Sequence, residues 1–334
     1  MNEIITFIVT LIVAAITYST PLLFGTLGEI LTEKSGNLNL GVEGIMYMGG
    51  AIGLGGVFYY EKIMLSSGGE ANIYVAFVVA ILFAMLAGVV ASLIFSFITI
   101  TLRANQNVTG LALSIFGTGV GQFVGEYMRV REGGYVSISN GLKEAFIASP
   151  FPKFLREIPY LGDIVFGHSF FFYLAVVFAI CLHFFLKKTR TGLYLRSVGE
   201  SPATADAAGI NVTKNKYLAT VIGGGISAIG GMVYIVTLAG CTWNHEGLAG
   251  FGWLAVALVI FCLWRPLSAI WGSVLFGALM ILYTRLQIPF IPTELYKILP
   301  YVVTVVVLVI SSMRNNKEKQ PPASLGLAYF REER

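Results

Sequence analysis

Charge is what this 334-residue chain has least of. Asp, Glu, Lys and Arg make up 12% of it, while 56% is hydrophobic. A soluble domain carries about 25% charged residues. Half that share at this length leaves too little polar surface to coat a water-soluble core, so the class is integral membrane protein. Cysteine is scarce too. Cys181, Cys241 and Cys262 are unevenly spaced and lie in or beside apolar runs, so neither a disulfide framework nor a metal site follows from them.

Other absences narrow the function. No Lys or Arg precedes Lys34, whereas a cleaved signal peptide opens on a basic stretch. The start, "MNEIITFIVTLIVAAITYSTP", therefore reads as an uncleaved span. There is no G-x-x-x-x-G-K-[ST] loop to cradle phosphates, and no Gly-Lys pair at all. Neither H-E-x-x-H nor G-x-S-x-G occurs, and the adjacent His245 and Glu246 match no catalytic motif. A membrane-embedded enzyme is disfavoured. No cofactor or metal is expected on this chain, and no nucleic acid as partner.

What is present is a series of apolar runs near the length of about 20 residues that a bilayer-spanning helix needs. They cover residues 4–27, 38–59, 73–102, 108–127, 169–186, 217–239, 248–264, 267–283 and 298–313. The fold class expected is an all-α integral membrane bundle of about nine transmembrane helices, with residues 1–313 as the membrane domain and 314–334 as a polar, partly disordered tail. The segment 128–168, with Pro150, Pro152 and Pro159, is the expected extracytoplasmic loop, with room for a short interfacial helix. Lys187, Lys188, Arg190, Arg196, Lys214 and Lys216 crowd the connection 187–216. Cytoplasmic loops are the Lys- and Arg-rich ones, so this loop and the tail are placed in the cytoplasm and the N-terminus outside.

Small residues recur inside the spans. Gly117, Gly121 and Gly125 repeat every fourth position, as do Gly49 and Gly53, a pattern that lets helix backbones approach closely. No Asp, Glu, Lys or Arg falls in the middle of a predicted span; Glu43 sits near an end and His183 beside a basic flank. Ion-coupled carriers place ionisable groups at depth. Their absence argues against a self-sufficient secondary transporter and for energy supplied by another chain.

The basic loop contains a short helix with its own punctuation. Ser201 is a good N-cap, and Pro202 suits the first turn. Ala203, Ala205, Ala207 and Ala208 favour helix, and Gly209 suits the left-handed position after it. The result is about seven residues, roughly 10 Å. A helix so short is unstable alone. Its small side chains, with Ile210 as an apolar anchor, suit either packing on its own protein or insertion into a partner's groove.

Pathway candidates are the polar groups of "GNLNLGVEG", namely Asn37, Asn39 and Glu43, with Trp243 and Asn244 between the sixth and seventh spans and Trp253 just beyond. Amides and a carboxylate suit hydroxyl groups of a solute, and aromatic rings suit a flat base. Asn37, Asn39 and Glu43 also suit capping at the start of the second span. Asn105, Gln106 and Asn107 precede the fourth span, where Asn107 or Thr109 is the expected cap.

Three stretches carry a resemblance. "GEILTEKSGNLNLGVEGIMYMGG", "GLYLRSVGESPATADAAGINVTKNKYLATVIGGG" and "FGWLAVALVIFCLWRPL", with the closing "YFREER", resemble the permease subunits of ATP-driven importers in the branched-chain amino acid/ribose/nucleoside family, in its nucleoside and simple-sugar branch. The resemblance implies half of a translocation pathway in a bacterial cytoplasmic membrane. Its cargo would be nucleosides, or alternatively a simple sugar such as ribose. It implies a separate ATPase subunit that binds ATP and Mg, a second and often non-identical permease, and an extracytoplasmic substrate-binding lipoprotein. It implies that the segment Glu200, Ser201, Pro202, Ala203, Thr204, Ala205, Asp206, Ala207, Ala208, Gly209 and Ile210 docks on the ATPase as a coupling helix. The chain departs from the family pattern in "TWNHEGLAGFGW", where Ala249 stands in the place of an Arg.

Overall fold

The computed structural model describes residues 2–285, 293–313 and 320–331. Helices account for every predicted span. They are α1 (Asn2–Glu33), α2 (Val42–Ser66), α3 (Ile73–Ser96), α4 (Gln106–Arg131), α5 (Asn140–Ile147), α6 (Lys153–Arg156), α7 (Phe170–Lys188), α8 (Arg190–Glu200), α9 (Pro202–Ala207), α10 (Val212–Val233), α11 (Phe251–Phe261), α12 (Pro266–Arg285) and α13 (Thr293–Met313). Short π-helical turns extend α3 over Phe97–Thr101 and α10 over Tyr234–Leu238, and a third, Gly162–Phe166, precedes α7. Among the described residues, five segments are long and apolar enough to cross a bilayer: Ile5–Glu33, Ile73–Thr101, Gln106–Arg131, Phe170–Lys188 and Val212–Leu238. The protein is a multi-pass membrane bundle.

The core lies where α1, α2, α3 and α10 meet, and glycine sets how closely they meet. A Cβ on Gly28 of α1 would collide with the Gly223 carbonyl and Ser227 of α10. One on Gly88 of α3 would strike Gly224, and one on Gly49 of α2 would strike Ala228. The glycine row of α4 faces α2: a Cβ on Gly117 would stand 2.7 Å from the Gly44 backbone, and on Gly121 2.7 Å from that of Tyr47. These contacts are backbone to backbone, the geometry that small residues permit in lipid.

Lys34, Lys187, Lys188, Arg190, Arg196, Lys214 and Arg265 gather at one end of the bundle, here the basic end. Between α1 and α2 the chain turns back into the bundle from this end. The Asn39 amide donates to Glu29 Oε1 at 3.1 Å, beside the last turns of α1. Thr26 hydroxyl donates to the Ala255 carbonyl at 3.2 Å, which puts α11 alongside α1. Glu43 meets Gly252, one turn before Ala255. At 1.5 Å per residue Glu43 therefore lies about 15 Å from the basic end of α1, near half of a hydrocarbon core of about 30 Å.

Four expectations are corrected here. The first helix runs past residue 27 to Glu33, because buried partners take its two carboxylates. Glu29 receives the Asn39 backbone amide, and Glu33 receives the Trp264 indole N–H. Buried ionisable groups are thus present within the bundle, and Glu43, in the first turn of α2, is buried there too. Second, the connection 187–216 is mostly helical. Thr189 caps α8 through Gly192 N at 3.0 Å, and Leu195 and Val198 bury one face of it. Lys216 sits inside α10, 3% exposed, not in a loop. Third, α4 is capped by Asn105, whose Oδ1 accepts from Val108 N at 3.1 Å, while Asn107 is exposed. Fourth, tail residues 320–331 fold back on the basic end instead of trailing free.

Candidate functional site

A cavity of about 1100 Å³ opens among α1, α2, α4, α11 and α13. Aromatic rings dominate its wall: Tyr18, Tyr47, Tyr234, Phe251, Trp253 and Tyr301. Tyr234 and Phe251 meet edge to face with centroids 4.7 Å apart. The polar lining comes from Glu43, Ser114, Thr118, Gln122 and Glu246. An apolar, aromatic concavity with a few fixed polar groups is the usual form of a small-solute site.

Glu43 builds this wall. Its Oε1 accepts from Gly250 N at 2.7 Å, and its Oε2 accepts from Gly252 N at 2.6 Å and Trp253 N at 3.2 Å. These amides open α11, whose first-turn N–H groups have no partner within the helix. The carboxylate satisfies them inside the bundle, where an unpaired N–H is costly. Two glycines make the approach possible. Gly250 adopts φ +88, the left-handed region, and a Cβ on Gly252 would overlap Glu43 itself. With its lone pairs committed to backbone, Glu43 orients the cavity. Ser114 is committed as well, donating to the Leu40 carbonyl at 2.7 Å.

Of the other pathway candidates, only Trp253 lines this cavity with Glu43. Asn37 is fully buried and its Nδ2 donates to Thr220 Oγ1 at 2.8 Å, tying the re-entering segment to α10. Asn39 folds its Oδ1 onto Gly41 N at 2.9 Å. Both stand among the cavity's supports, away from its surface. Trp243 packs its indole on Gly125 of α4, and Asn244 is an exposed loop residue. A bridge between Ser137 and Thr242 holds that loop to the segment that follows α4. Thr118 and Gln122 were missed from sequence. Their signal was the polar row Ser114, Thr118, Gln122, spaced by four along a helix otherwise read only for its glycines.

At the basic end, α9 keeps its predicted caps. Ser201 Oγ accepts from Thr204 N at 3.4 Å, Gly209 adopts φ +82, and Ile210 N returns to the Ala205 carbonyl at 3.0 Å. One face packs inward: Ala205, 3% exposed, joins Val198, Val212, Ile210 and Tyr329 in a small cluster. Ala203, Thr204, Ala207, Ala208 and Gly209 face out. Ala205 is therefore a contact within the chain, not part of a free docking face.

The tail holds α9 in place. Tyr329 OH donates to Asp206 Oδ2 at 2.9 Å, and Arg331 pairs with the same oxygen at 3.2 Å. Ser324 Oγ donates to the Gly199 carbonyl at 2.6 Å, Ala323 N to Glu200 at 3.3 Å, and Gly326 N to the Gly36 carbonyl at 3.2 Å. Gln106, buried at the head of α4, receives Leu38 N at 2.7 Å and donates to the Leu327 carbonyl at 3.4 Å. The strap thus links α9 to the segment that re-enters toward Glu43.

Comparison with known proteins matches residues 11–308 to the family described as branched-chain amino acid transport system, permease component. Among similar proteins, the guanosine ABC transporter permease protein NupQ of Bacillus subtilis is 31% identical over 92% of this chain and 93% of its own. The nucleoside ABC transporter permease protein NupC of Lactococcus lactis is 33% identical over 87% of this chain and 88% of its own. A permease named for glucose transport, TsgC13 of Haloferax volcanii, is 34% identical over 82% of this chain and 77% of its own.

Proposed function

The chain belongs to the family of branched-chain amino acid transport system permease components, and from that premise we propose that it forms half of the membrane pathway of an ATP-driven importer for nucleosides. It is a transport component, not an enzyme. An ATP-binding subunit and a substrate-binding protein are the partners such permeases work with. The observation that carries the cargo reading is the aromatic cavity beside Glu43. A base stacks on rings such as Trp253 and Tyr301, and the ribose hydroxyls find Gln122, Thr118 and Glu246. The similarity to permeases named for guanosine and nucleosides supports the same reading.

In this proposal the basic end is cytoplasmic, as the Lys and Arg excess favours, and the N-terminus is outside. The exposed face of α9 docks on the ATPase, which binds ATP and Mg. Closure of the ATPases pushes α9, and the strap and the Gly36–Asn39 segment pass the displacement to α2 and Glu43. A second, non-identical permease completes the pathway, and an extracytoplasmic lipoprotein delivers solute to the other end.

The test is uptake of radiolabelled guanosine, adenosine, ribose and glucose by cells expressing the complete transporter, with and without this chain. ATP-dependent nucleoside uptake that is lost without the chain is expected, and purine nucleosides should compete where free sugars do not. Uptake of glucose or ribose with no nucleoside competition overturns the cargo and leaves the simple-sugar reading, which the similarity to TsgC13 favours. Transport by this chain alone down an ion gradient in proteoliposomes overturns the importer itself.

A further inference from the structure

A second pocket, of about 470 Å³, opens at the basic end between α7, α8 and the turn before α12. Lys34, His183, Lys187, Arg196 and Arg265 converge on it from four separate segments, and among the described residues Glu200 is its one carboxylate. Among the described residues none of these lysines and arginines closes an ion pair. Glu200 already accepts from the Ala323 amide. Arg196 Nε is buried and has no hydrogen-bond partner. Burial holds the Lys34 amine below its ordinary range, with Glu200 pulling weakly the other way. Lys34 and Arg196 are half-buried, and a cationic excess set partly out of water in a concave site calls for an anion.

The surroundings identify the anion's carrier. On α7, Val177, Ile180 and Phe184 form an exposed apolar stripe, 53%, 40% and 54% exposed, that ends one turn later at Lys187 and Lys188. On α12, which packs beside α7, Leu267, Trp271 and Leu275 form another, 39%, 78% and 43% exposed, beginning next to Arg265. These stripes offer a hydrocarbon surface that a soluble phosphate does not use and the acyl chains of a lipid do. The general bias of Lys and Arg toward one side of a membrane explains exposed cations. It does not explain a concave site with a buried, unpartnered guanidinium nitrogen.

We propose that this pocket binds the phosphodiester head group of one anionic phospholipid from the leaflet at the basic end, with its chains along α7 and α12. The site is separate from the aromatic cavity and does not depend on which solute is carried.

The test uses the purified full chain in neutral detergent. Native mass spectrometry reads the retention of phosphatidylglycerol against phosphatidylcholine for the wild type and for a Lys187→Gln, Arg265→Gln double variant. Both side chains are exposed, so the fold is preserved, which circular dichroism checks. The wild type should prefer phosphatidylglycerol. At about fivefold for each cation removed, the double variant should lose about 25-fold of that preference. Equal retention of both lipids by the wild type, or an unchanged preference in the variant, overturns the proposal. Thermal protection of the wild type but not the variant by inorganic phosphate alone assigns the pocket to a soluble anion and overturns the lipid. Loss of ATPase co-purification with lipid preference intact assigns the cluster to partner docking and overturns it too.

Discussion

Glu43 Oε2 accepts the Gly252 amide at 2.6 Å, joining positions 209 residues apart. One oxygen thereby fixes the start of α2 to the start of α11 at mid-depth. Every ring that α11 presents to the cavity takes its position from this carboxylate.

Removing it should loosen the cavity before it alters recognition. Glu43→Ala strands buried amides and should cost about 2 kcal/mol of stability. Glu43→Gln should cost about as much, because its NH₂ group meets N–H donors. Thermal unfolding in detergent measures the loss, and nucleoside uptake should fall in both variants. Unchanged stability of Glu43→Ala would show that the cap is dispensable.

Position on α9 decides what an arginine does there. Ala207→Arg lies on the outward face and should abolish ATPase co-purification and uptake with little change in unfolding temperature. Ala205→Arg, forced into the cluster with Val198, Val212 and Tyr329, should instead lower stability by about 3 kcal/mol. Normal co-purification with Ala207→Arg would remove α9 from the docking face.

The bonds that Tyr329 and Arg331 make to Asp206 are unequal. Arg331 is 74% exposed, and such pairs contribute little. Tyr329 OH lies in the packed cluster, so Tyr329→Phe should destabilise the α9 segment by about 1 kcal/mol, while Arg331→Gln should have almost no effect. Hydrogen exchange over 198–212 reads the difference. A stop at Pro321 should speed that exchange further and reduce uptake while leaving membrane insertion intact.

The glycine row on α4 offers a contrast within one helix. Gly121→Val pushes a side chain into the Tyr47 backbone and should cost about 2 kcal/mol or more. Gly119, two residues away, has open space where a Cβ would stand, and Gly119→Ala should be neutral or stabilising by up to about 1 kcal/mol. Unfolding midpoints compare the two.

His168 sits in the segment before α7, buried beside Phe172 and bonded to the Ile164 carbonyl at 2.9 Å. Burial lowers its pKa from the ordinary 6.5, against that bond and Asp163. The neutral form is the folded one. Its stabilisation is complete above 6.5 and lost as pH falls through the lowered value. Hydrogen exchange over 162–172 should quicken between neutral pH and about pH 5, and His168→Gln should flatten that dependence.

Composition and apolar run length made the bundle legible, because lipid leaves the backbone few alternatives to helix. The caps of α9 were legible for a similar reason: Ser201, Pro202 and Gly209 each do a local job. What stayed hidden was long-range. Nothing local says that Glu43 faces Gly250–Trp253, that Asn37 reaches Thr220, or that Ala205 turns inward. Glu29 and Glu33 looked like the end of a span because their partners, Asn39 and Trp264, arrive from elsewhere. The family resemblance supplied the coupling segment proposed here but not the strap, whose residues looked like a polar tail.

The strap has a consequence for how the protein is made. Gly36 and Gly199 leave the ribosome long before Gly326 and Ser324, their partners. The surface proposed to meet the ATPase is therefore the last part of the permease to be finished. Chains that end before Pro321 would lack the contacts that hold α9, which ties the proposed docking surface to complete synthesis.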